Sequence, residues 1–118
     1  MKRLLLALVA ASLPIAAAAP ALAHTAVRET SITDNATLSA APANFTVTFS
    51  AATALANVRL TDAAGREIAL DYMPPRTRAA AFTIPLPMLA PGAYTISWRT
   101  MASDGHVMPG AVRFTVAG

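Results

Sequence analysis

The stretch "LAPGAYTISWRTMASDGHVMPGAVRFTV", residues 89–116, decides the fold. Tyr94, Ile96 and Trp98 alternate with Thr95, Ser97 and Arg99, and Val112, Phe114 and Val116 alternate with Arg113 and Thr115. A period of two turns one set of side chains to a core and the other to water, the signature of strands with one buried face. Pro91-Gly92, Asp104-Gly105 and Pro109-Gly110 read as breaks with turn chemistry. Tyr94 follows Pro91-Gly92 closely enough to form a tyrosine corner, its hydroxyl bonding back to the backbone. Trp98 keeps step with Tyr94 and Ile96, so it is expected in the core.

The same pattern extends upstream. Phe45, Val47 and Phe49 alternate with Thr46, Thr48 and Ser50, and Val58 and Leu60 with Arg59 and Thr61. Ile68 and Leu70 follow Gly65, and Phe82 and Ile84 close the run 79–84. Residues 25–31 form a weaker first strand, with Ala26 and Val27 expected to be half-buried. No window has sustained helical spacing, and 51–56 has room for one helical turn at most. About seven strands in some ninety residues is the pattern of a small antiparallel sandwich or barrel.

Residues 1–23 are different. Lys2 and Arg3 lead into an apolar run that ends in Ala21-Leu22-Ala23. A basic start, an apolar centre and an A-x-A site describe a cleavable secretory signal peptide. A membrane anchor is the rival reading, since the run is nearly long enough to span a bilayer. Pro14, Pro20 and the A-x-A triplet favour cleavage. The mature domain is then 24–118, one small domain able to hold a modest core. It carries seven arginines, no lysine and six acids. Its formal side-chain charge is about +1, and the arginines are scattered, so nothing points to nucleic acid. The chain has no cysteine, which excludes thiolate zinc and blue-copper sites.

Only His24 and His106 are imidazoles. Asp104 and His106 stand two apart around Gly105, which tolerates unusual backbone angles, so carboxylate and ring can project to one side. An ordinary Asp-Gly turn with an exposed histidine is the plainer reading. Cleavage after Ala23 adds the α-amine and ring of His24. Three nitrogens and a carboxylate suit tetragonal Cu(II), although Zn(II) and Ni(II) accept the same donors. Because binding displaces protons, affinity should fall below about pH 6.5, the ordinary imidazole value. Glu29 and Asp34 read as solvated charges. Arg99 reads as a solvated strand charge or as a cation supporting Asp104.

With these residues the chain resembles the CopC family of periplasmic copper-binding proteins. The likeness rests on His24, "NFTVTFS" (44–50) and residues 89–116, above all Trp98-Arg99 followed by Ser103-Asp104-Gly105-His106 and Gly110. It implies a Greek-key, cupredoxin- or immunoglobulin-like β-sandwich or barrel that binds Cu(II) through the His24 amine and ring, Asp104 and His106. Two features depart from the family pattern. Met73, Met88, Met101 and Met108 are dispersed, with no M-x-x-M run for Cu(I), and Met101 and Met108 read as core filling. Ala51-Ala52 also follow Phe49-Ser50 where relatives often carry an acid.

The expected function is therefore a periplasmic, monomeric Cu(II) carrier or buffer in copper homeostasis or resistance, not an enzyme, that hands metal to a membrane importer. Two rivals remain. One is a histidine-brace copper monooxygenase, in which Asp104 would occupy the oxygen position. The other is a metal-free immunoglobulin-like structural module.

Overall fold

In the computed structural model, residues 26–118 are described, and they contain seven strands and no helix. These are β1 (Val27–Thr30), β2 (Ala36–Leu38), β3 (Asn44–Asp62), β4 (Glu67–Ile68), β5 (Ala79–Pro85), β6 (Gly92–Met101) and β7 (Val107–Val116). The organising element is β3. Its first half pairs antiparallel with β1 on one side and β5 on the other. Its second half pairs with β6 and, briefly, with β4. The sheet continues from β6 to β7 and then to β2, which runs parallel to β7. One strand thus belongs to both layers of a small β-sandwich.

How β3 serves two sheets is visible in its burial. Phe45, Val47, Phe49, Thr53 and Leu55 are buried, all at odd positions, whereas further on the buried residue is Leu60. The phase changes where the pairing with β6 slips between Leu55 and Asn57. A β-bulge adds one residue, which sends the following side chains to the opposite face and bends the strand. Residues 51–56 therefore form no helical turn. Their alanines allow the bend, while Thr53 and Leu55 anchor it in the core.

The core lies between the layers. Phe45 meets Trp98 at 5.6 Å, Phe49 meets Phe82 edge-on at 6.1 Å, and Tyr94 stacks on Phe114 at 5.7 Å. The tyrosine corner is present, with the Tyr94 hydroxyl donating to the Ala90 carbonyl at 2.6 Å.

Two expectations need correction, and one element is new. Val27 is 45% exposed and Ala26 is exposed as well, because β1 lies on a sheet edge with no layer above these residues. Pro109-Gly110 is no turn but lies within β7. There β7 is an edge strand, since β2 pairs only with Phe114–Val116, and an edge tolerates a proline that lacks its N–H. Gly110 sits across from Trp98, whose ring fills the space a Cβ would need. Finally, β2 and buried Ile32 were not anticipated. Asp34 starts that segment by accepting the Arg113 N–H at 2.8 Å, and Asn35 follows in the left-handed region at φ 66.

Candidate metal centre

Residues 102–106 join β6 to β7 in a tight hairpin. Ala102 N–H donates to the His106 carbonyl and Gly105 N–H to the Ala102 carbonyl, both at 2.9 Å. Gly105 adopts φ +88, a value that favours glycine. Within this turn Asp104 holds His106 twice. One carboxylate oxygen accepts the His106 N–H at 3.0 Å, and the other lies 2.7 Å from the ring Nδ1. Both side chains are exposed, His106 by 69% and Asp104 by 57%. The backbone N–H of His106, and then its ring, hold the Asp104 carboxyl below the usual carboxylate range.

Asp104 and His106 thus come together as their spacing suggests, but they face one another. A carboxylate on Nδ1 fixes ring orientation and leaves Nε2 as the nitrogen directed away from it, an arrangement common behind metal-bound histidines. The donors present, imidazole nitrogen and carboxylate oxygen, fit the borderline character of Cu(II). Two donors do not make a closed site, and among the described residues no group of three His, Cys, Asp or Glu side chains could hold a metal. His24, the third expected ligand, lies outside the described residues.

The fold ties the start of β1 to the strand that leads to the base of this hairpin. Ala26 N–H donates to Ser50 Oγ at 3.0 Å, and Ser50 N–H donates to the Ala26 carbonyl at 2.8 Å. From Ser50, β3 runs four residues to Ala54, which pairs with Met101 at the base of the hairpin. Four strand residues span about 13 Å.

Several other residues fall where the sequence did not place them. Thr53, fully buried, donates to the Met101 carbonyl at 3.1 Å, and Arg78 reaches the same oxygen at 3.4 Å. Together they fasten the hairpin stem. The only sequence signal was one hydroxyl within an alanine-rich run. Met101 is 41% exposed rather than core filling, because it lies on the outer face of β6, while Met108 is half-buried. Arg99 is exposed on the outer face of β6, and the hydrogen bonds and ion pair of Asp104 among the described residues go to His106. Glu29 is exposed, and Asp34 is committed to Arg113, so neither joins His106.

This sandwich, with its Asp-Gly-His hairpin, matches the CopC domain over residues 27–117. The chain belongs to the CopC family. Among solved structures it is similar to CopC from Methylosinus trichosporium OB3b, with TM-score 0.66 and 23% identity over 80% of this chain and 94% of that one. It is also similar to PcoC, a methionine-rich copper resistance protein from Escherichia coli, with TM-score 0.60 and 27% identity over 80% of this chain and 99% of that one. No curated protein matches its sequence.

Proposed function

We propose that this is an exported copper-binding protein that holds Cu(II) and buffers or carries it in copper homeostasis or resistance. Residues 1–23 act as the signal peptide, and cleavage after Ala23 makes His24 the first residue of the mature domain, 24–118. The metal is cargo, and no substrate bond is made or broken. His106 supplies an imidazole, His24 its amine and ring, and Asp104 a carboxylate that orients His106 and can turn to the ion. The observation that carries this reading is the Asp104–His106 pair on an exposed hairpin, with Ala26 held at Ser50 of the strand whose Ala54 pairs with Met101 at the hairpin's base. The similarity to a copper resistance protein of Escherichia coli supports copper as the metal. The setting is the periplasm, the protein acts as a monomer, and the receiver is a membrane importer.

The test is mass spectrometry of the exported chain, followed by Cu(II) titration with EPR detection. A chain beginning at His24 should bind one Cu(II) through nitrogen, and both His106→Ala and N-terminal acetylation should abolish tight binding. Unchanged binding by either form would sink the corresponding ligand assignment.

A further inference from the structure

Strand β1 is held by hydrogen bonds rather than by packing. Val27, Arg28 and Glu29 are exposed and Thr30 is half-buried, so burial does little to fix its position on β3. A serine closes the pairing just beyond each end. Before β1, Ser50 N–H donates to the Ala26 carbonyl at 2.8 Å, and Ala26 N–H donates back to Ser50 Oγ at 3.0 Å. After β1, Ser31 N–H donates to the Thr46 carbonyl at 2.8 Å, and Thr46 N–H donates back to Ser31 Oγ at 2.9 Å. In a regular antiparallel pair of this kind both bonds join backbone groups. Here a hydroxyl takes the place of one carbonyl in each clasp. Between the two clasps the register slips from Val27 to Glu29, and such a bulge interrupts the ladder. The clasp at Ala26 therefore holds the N-terminal end of β1 largely by itself.

We infer that Ser50 is a positioning residue for the copper centre. Ala26 stands two residues after His24 in the sequence, and two residues of chain reach at most about 7 Å. Because β1 runs antiparallel to β3, its N-terminal end is the one turned toward Ala54, the partner of Met101 at the base of the hairpin. Clasping Ala26 limits how far the amine and ring of His24 can stray and raises their effective concentration at the ion, as a short tether does. Ser50 touches no metal in this account; its hydroxyl acts through Ala26. Ser31 makes the same pair of bonds at the far end of β1, beyond the bulge, and has no such role. The inference rests on the reading of His24 as a ligand.

The test uses the exported chain beginning at His24. It measures the Cu(II) Kd by chelator competition, the EPR spectrum of the loaded form, and the amide exchange of Ala26 in the metal-free form. Ser50→Ala should speed exchange at Ala26 and weaken Cu(II) binding about fivefold, as loss of one hydrogen bond implies. The EPR spectrum should not change, because the same donors still bind. Ser50→Thr, which keeps a hydroxyl, should restore both readouts, and Ser31→Ala should leave the Kd unchanged. In an N-acetylated His24→Ala chain, whose residual binding falls to Asp104 and His106, Ser50→Ala should have no effect. Three results would each overturn the proposal: an unchanged Kd in Ser50→Ala, an equal loss in Ser31→Ala, or the same loss in the acetylated His24→Ala chain. A parent chain that binds no Cu(II) through its amine refutes the metal centre, and the role of Ser50 falls with it. A parent chain that binds through its amine regardless of Ser50 refutes that role alone.

Discussion

Gly110 shows how little separates a tolerated residue from a disruptive one in this sandwich. A Cβ there would overlap the Trp98 ring, which is 3% exposed and packed against Phe45. Gly110→Ala should therefore cost about 1–3 kcal/mol, as overpacking does, and shift the emission of the single tryptophan; denaturant melts followed by fluorescence check both. Tyr94→Phe removes only the hydroxyl that reaches Ala90, and should cost about 1 kcal/mol in the same melts with the fold intact. The sequence already signalled this corner, because Pro-Gly before an aromatic strand start is a local arrangement. Asp104 adds a pH dependence. Its carboxyl is held below the ordinary value, so its contribution to hairpin order is present above the unfolded-state pKa and is lost as pH falls through the folded one. The His106 amide should accordingly exchange slowly at pH 5 and lose that protection only in stronger acid. Loss of the protection already near pH 5 would contradict this account.

At the scale of elements, alternation revealed β5, β6 and both halves of β3, because each buries one face. It did not reveal that the two halves are one strand. That depends on a bulge, and a bulge leaves no periodic trace in an alanine-rich run. β2 escaped for a related reason: three residues held by Asp34 and a parallel neighbour carry no alternation to detect. The hairpin was legible as Asp-Gly-His, but its fastening was not, since Thr53 and Arg78 reach Met101 from distant parts of the chain. Thr53→Val keeps shape while deleting a buried hydrogen bond. It should lower stability by about 1 kcal/mol and broaden the Cu(II) EPR features, whereas a purely core role would leave the spectrum unchanged.

For the whole molecule, a ligand that binds only the folded state raises stability by RT ln(1 + [L]/Kd), about 2.7 kcal/mol at a hundredfold excess over Kd. Cu(II) should raise the melting temperature of the exported chain, and raise it far less for a chain whose His24 amine is blocked; calorimetry distinguishes this from a metal-free module. The shared strand also bears on how the protein comes apart. A sandwich whose two layers have β3 in common cannot shed one sheet and keep the other. Amides in β5 and in β6 should then exchange with one common free energy of opening, in a single cooperative unit. In such a domain, local fraying of a sheet offers no path for release from the proposed centre, so release there would fall to ligand exchange at the hairpin surface, with an incoming donor replacing His106 while the scaffold stays closed.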